Sequence, residues 1–118
     1  MPKNKTSFSV VKKAAAGLPD VTEGTTYGSP ALKVRGKLLA CIAIHKSAEP
    51  GSLGVCISFD DRAAMIAEAP DKYYLTEHYV NYPVVLVRLS RVGQNEMRDL
   101  LNMAWRFVST KSFRRRPL

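Results

Sequence analysis

The chain has 118 residues, 46% hydrophobic and 24% charged, with a net charge of +8. That length and composition predict one domain with a real core and exclude disorder and a membrane-spanning run. Cys41 and Cys56 are too few for a disulfide scaffold; inside apparent strands they read as buried, reduced thiols of a cytoplasmic protein.

The charge falls in blocks. Residues 1–13 carry four lysines and no acid, and residues 33–46 carry Lys33, Arg35, Lys37 and Lys46, again with no acid. Residues 60–77 are acidic on balance, and from Arg106 onward there are five basic residues, ending in Arg114, Arg115 and Arg116. Basic blocks parted by an acidic one suit a polarised surface that attracts a polyanion, although a solvated surface and a loose tail account for the same counts. The basic N-terminus lacks the continuous apolar stretch of a signal peptide.

In chain order, Phe8, Val11, Ala15 and Leu18 share one stripe of a helix over residues 7–18, with Ser7 able to cap it and Gly17 and Pro19 ending it. Residues 22–30 are turn-rich. ALKVRGKLLACIAI then reads as two strands. A three-residue loop at 35–37 places Leu32, Val34, Leu38, Ala40, Ile42 and Ile44 on one side. A two-residue turn at Arg35-Gly36 suits the glycine better but would flip one strand's apolar set, so the burial argument favours the longer loop. LGVCISF is a further strand with Leu53, Val55, Ile57 and Phe59 inward, and Ser58 or Asp60 caps a short helix stopped by Pro70.

An extended piece at residues 73–76 leads to a last strand in which Val85, Val87 and Leu89 alternate with Val84, Leu86 and Arg88. QNEMRDLLNMAWRFV closes the pattern as a helix with Met97, Leu101, Ala104 and Val108 inward, Gly93 as N-cap and Glu96 at the third position. The order predicts an α+β, two-layer sandwich, with the terminal helices on one face of an antiparallel sheet. The other face receives Lys33, Cys41, Ala43, His45, Gly54, Cys56, Ser58, Val84, Leu86 and Arg88. It is either solvated or a flat docking surface.

No nucleophile elbow, phosphate loop or dinucleotide fingerprint is present. Cys41, His45 and Cys56 would make a metal site short of a ligand, or a Cys–His pair without an orienting group, so buried thiols are the better reading. His78 has only Glu77 and Asp71 nearby as titratable partners, and nothing in the sequence pairs them with it. Recognition chemistry remains. Basic side chains neutralise phosphates, and Tyr or His rings stack or hydrogen-bond beside them. The plainer role for Tyr79 and Tyr82 is to seal one end of the core, and for His78 to fix a loop.

Three stretches, YGSPALKVRGKLLA (27–40), TEHYVNYPVVLVRL (76–89) and AWR (104–106), closely resemble the MmcQ/YjbR family. The resemblance covers most of the chain and implies a CyaY/frataxin-like fold, also described as a double-wing DNA-binding motif. Here Asn81 stands where the family pattern has glycine and Val84 where it has tryptophan. Asn81 can keep the turn, but Val84 removes an indole from the outer face. Iron binding, which a frataxin-like fold raises, is not expected because the first helix carries Lys12 and Lys13 where an acidic ridge would lie.

The expectation is therefore a single 1–118 domain with basic, flexible ends at 1–6 and 112–118, monomeric, without catalysis, metal or cofactor, binding DNA. Lys33, Arg35, Lys37 and Arg88 would meet phosphates, Arg114, Arg115 and Arg116 would add a tail contact, and His78, Tyr79 and Tyr82 would fix the loop and touch sugar or base. The alternative is a small-molecule or protein-interaction module on the outer face, using the same loop and Arg88 for an anionic ligand or a partner's strand.

Overall fold

The structure is a computed structural model that describes the backbone of residues 3–26 and 28–114 and the side chains of residues 8–26 and 28–110. Its elements are α1 (Lys3–Ala15), β1 (Val21–Thr26), β2 (Ser29–Val34), β3 (Lys37–Ile42), β4 (Ser52–Cys56), α2 (Phe59–Glu68), β5 (Tyr73–Tyr74), β6 (Val84–Arg88) and α3 (Gln94–Arg114). Single 3-10 turns occupy Glu77–Tyr79 and Leu89–Arg91. The six strands form one antiparallel sheet in the order β1-β2-β3-β4-β6-β5.

The two long helices pack on one face, as the periodicity predicts. Met97, Leu101, Ala104 and Val108 of α3 join Val11, Ala14 and Ala15 of α1 in the core with Leu32, Val34, Leu53, Val55, Ile57, Val85 and Val87 of the sheet. Each fully buried Leu, Val or Met contributes roughly 1.5–3 kcal/mol, so this face carries most of the stability. α3 starts as its sequence indicates: Gly93 accepts the first helical bond from Met97, and its own N–H donates to Glu96 Oε1 at 3.0 Å. α1 begins at Lys3, which places Ser7 inside the helix and not at its cap. No helix among the described residues is long and apolar enough to cross a membrane.

Three expectations are corrected. Residues 22–30 hold most of strand β1 as well as a turn, because β-branched Val21, Thr22, Thr25 and Thr26 pair along β2, and Gly28, at φ 79°, lies in the reversal. The β2–β3 hairpin uses the two-residue turn. Arg35 and Gly36 both have positive φ, 50° and 84°, and Val34 pairs with Lys37. The parity problem is solved by one extra residue. Lys33 pairs with Leu38 and Leu32 with Ala40, so Leu39 bulges between them and is fully buried beside Ala40. Leu38 therefore moves to the outer face, and Ile44, beyond the strand, is 61% exposed. Phe59, expected to face the core, is the first residue of α2 and half-exposed; Ser58 is the cap, accepting from the Asp61 N–H at 3.1 Å.

Candidate functional site

The sheet's outer face is built from small residues. Cys41 of β3 pairs with Gly54 of β4, Gly54 pairs with Leu86 of β6, and Cys56 pairs with Val84. A Cβ placed on Gly54 would lie 3.5 Å from Val84 Cγ1 and 3.7 Å from the Cys41 carbonyl oxygen, so this floor is close-packed but low. Above it lies a half-open groove of about 1040 Å³. Leu38, Cys41, Gly54, Cys56 and Val84 form its floor, and His45, His78, Tyr79, Tyr82 and Pro83 form one wall. It passes Ile44 and Lys46 at one end of β3 and Gly36 and Lys37 at the other, and continues to Phe107 and Val108 of α3. Its lining follows β3 from Lys37 to Ile42, six residues that span roughly 20 Å of strand.

Its lining is mostly apolar, and Ile44 and Tyr82, 61% and 57% exposed, stand at its mouth. Apolar side chains left in water around a concave site are the usual mark of a ligand or partner surface.

The wall is held by an aromatic cluster. The His45 and His78 rings stack with centroids 3.5 Å apart and planes 10° from parallel; Tyr79 meets His78 edge-on at 4.7 Å and His45 at 6.2 Å. The Ser47 backbone N–H donates to His45 Nδ1 at 3.0 Å, which requires a lone pair there and puts the imidazole proton on Nε2. Ser47 Oγ, 2.8 Å from the same nitrogen, also lies 2.8 Å from Thr76 Oγ1, tying the β3–β4 connection to the start of the 77–79 turn. Desolvation lowers the His45 pKa, and the nearby His78 and Lys46 lower it further. Burial raises the Tyr79 hydroxyl, with Cys41 and Tyr74 adding to the shift and a His45 backbone hydrogen bond opposing it. Burial also raises Cys41, keeping it a thiol, which is a poor nucleophile.

Two arginines hold the frame around the groove. Arg62, on α2 and only 8% exposed, sends its guanidinium to the carbonyls of Tyr82 (2.7 Å), Val84 (3.2 Å) and Val80 (3.1 Å), with Phe59 stacked at 4.8 Å. Burial lowers its pKa, yet a guanidinium stays charged in proteins. Its three bonds fix the curve of the 80–84 segment, and so the position of Tyr82.

Arg88 binds Glu49 with both ends of its fork, at 2.9 and 2.8 Å, and the carbonyls of Pro70 and Asp71 at 3.1 and 3.2 Å, over the Tyr74 ring at 4.3 Å. The Glu49 hydrogen bond is the main cause of its raised pKa and of the lowered Glu49 pKa.

The residues singled out in the sequence separate accordingly. His78, Tyr79, Tyr82 and Lys37 line the groove together. Lys33 lies on the outer side of β2, half-buried, its stem 3.9 Å from where a Gly24 Cβ would be. Arg35 is turned to Asp20, Nε and Nη2 both 3.1 Å from Oδ2, in an exposed pair, and Arg88 is turned to Glu49, so both of these expected phosphate ligands form ion pairs within the chain. Arg115 and Arg116 lie outside the described residues, as does the side chain of Arg114, the last residue of α3.

Sequence reasoning missed Arg62, which it counted within an acidic block, and it named His45 without its partner. The parity shared by Cys41 and His45 was the one signal for the latter. Nothing in a one-dimensional pattern pairs His45 with His78. Among the described residues no group of three or more His, Cys, Asp or Glu gathers to hold a metal.

Three curated proteins are each 35% identical to this chain over 60 residues: uncharacterized proteins Rv2570 and MT2646 of Mycobacterium tuberculosis and Mb2600 of Mycobacterium bovis. The match covers 50% of this chain and 46% of each relative, so it spans about half the length of those proteins. No solved structure matches the chain at a significant level. The YjbR family model matches residues 16–107, from the end of α1 through all six strands and most of α3. The chain belongs to the YjbR family.

Proposed function

We propose that this protein is a binding module without catalysis, and that its outer-face groove holds a small anionic molecule with an elongated or flat apolar body. The observation that carries the reading is the groove itself: a volume near 1040 Å³, at the upper end of small-molecule sites, lined mostly by apolar groups. Charge complementarity supports the anionic part. Lys37 and Lys46 flank the groove, and neither has a carboxylate within ion-pair distance among the described residues. Arg62 adds a buried positive charge behind the Val80–Val84 wall. Anilinonaphthalene sulfonate, an aromatic body with a fixed negative charge, is a suitable probe. The reading predicts saturable binding at one site by the native protein, with near-ultraviolet circular dichroism unchanged. No binding, or binding only when that signal is lost, overturns it.

The net charge of +8 favours a second reading, single-stranded DNA laid along the same groove with bases on Tyr82 and phosphates on Lys33, Lys37 and Lys46. Anisotropy of a labelled oligothymidylate separates the two. A strand in the groove displaces the sulfonate dye and weakens with salt at a slope of roughly −0.7 per phosphate neutralised. A strand held elsewhere leaves the dye in place.

A further inference from the structure

The groove wall is fastened by two stacked imidazoles, an arrangement that holds while His45 is neutral and keeps the Nδ1 lone pair that accepts the Ser47 N–H. His45 and His78 overlap face to face at 3.5 Å, so a second positive charge would sit directly on the first. His45 also accepts the Ser47 N–H at Nδ1, and protonating that atom sets two N–H groups against each other. Every neighbouring element bears on the balance. Lys46 on the same connection adds positive charge, while Glu49 there is engaged by Arg88. Glu77 and Tyr79 flank His78 on the 3-10 turn, Cys41 of β3 lies beneath, and Tyr74 of β5 has its hydroxyl on the Glu49 N–H and Ser52 Oγ. Besides the ring stack, the connection and the turn are joined by the Ser47–Thr76 hydroxyl pair at the turn's N-cap, by a His45 backbone hydrogen bond to the Tyr79 hydroxyl and by the edge-on His45–Tyr79 contact.

We propose that the His45–His78 stack is a pH-sensitive latch: with His45 neutral, it holds the 77–79 turn against the β3–β4 connection, and with His45 protonated, it parts and opens the groove. This rests on the groove being the binding site. The lowered His45 pKa agrees in sign. A group whose pKa is lower in the closed form stabilises that form fully above its ordinary value of about 6.5, and the contribution is lost as pH falls through the lowered value.

A neutral apolar probe, phenylnaphthylamine, tests the latch free of any attraction between imidazolium and an anion. Its affinity for the wild type is expected to fall about five- to tenfold from about pH 7.5 to about pH 5.5, one proton's worth of linkage. The double variant His45→Phe/His78→Phe, which keeps two flat rings without a titrating group, is expected to give a flat profile. A flat profile in the wild type, or the same slope in the double variant, overturns the proposal. If the probe fails to bind at neutral pH, the groove reading fails by itself. The latch is then decided in the ligand-free wild type by NMR. Amide shifts of Glu77, His78 and Tyr79 that follow the His45 titration support it, and shifts that stay put refute it.

Discussion

The two faces of the sheet are made from alternate residues of the same strands, yet they are built differently. On the inner face Leu53, Val55, Val85 and Val87 meet two helices and are completely buried. On the outer face lie the residues between them, Gly54, Cys56, Val84 and Leu86, of which just Gly54 and Leu86 are buried. Large side chains fill space on one side; small ones leave it empty on the other. The second side is closed by polar fasteners (Arg62 on backbone carbonyls, Arg88 on Glu49, one imidazole on another) and not by packing. On the proposed function, stability and binding capacity are separated by strand parity, and substitutions can pull them apart.

The largest effect belongs to the inner face. Leu101→Ala removes a fully buried side chain from α3 and should lower unfolding stability by about 2–5 kcal/mol in urea titrations, through lost burial and a residual cavity. The dye affinity of the folded fraction should hardly change. Arg62→Met comes next, because it removes three guanidinium hydrogen bonds to the carbonyls of Val80, Tyr82 and Val84, of which the Tyr82 carbonyl keeps the Val84 N–H. A loss of about 2–3 kcal/mol is expected, with faster hydrogen exchange concentrated in residues 77–84.

Val84→Trp should sharpen the contrast. An indole over Gly54 and Cys56 fills the groove and should cut dye affinity at least about tenfold, or about 1.4 kcal/mol, while leaving the urea midpoint nearly in place. The smallest effect is Lys46→Gln. It should weaken the anionic dye about two- to threefold at low salt, less at high salt, and leave the neutral dye alone.

The inner face was legible in the sequence because it is periodic. The α3 stripe and the alternation in β4 and β6 each give a spacing that burial then obeys. What was not legible depends on single residues out of period. Leu39 restores parity by bulging, which lets a two-residue turn coexist with a buried β3, and alternation alone cannot announce an extra residue. The site was legible in its residue types and not in its contacts. HYVNYP does contribute His78, Tyr79 and Tyr82 to one wall, but their partners His45 and Arg62 come from 33 and 20 residues away and carry no matching pattern. Arg88 is the converse case. Its type and position suggested a phosphate ligand, and only the fold reveals Glu49 in its fork.

The central claim is that the outer face holds an apolar anion in a groove whose depth is set by Val84. Titrating anilinonaphthalene sulfonate into the wild type and the folded Val84→Trp variant at neutral pH tests it most directly. The account predicts one saturable site in the wild type and at least about a tenfold loss in the variant, with circular dichroism of both intact. Equal affinities in the two folded proteins would contradict it.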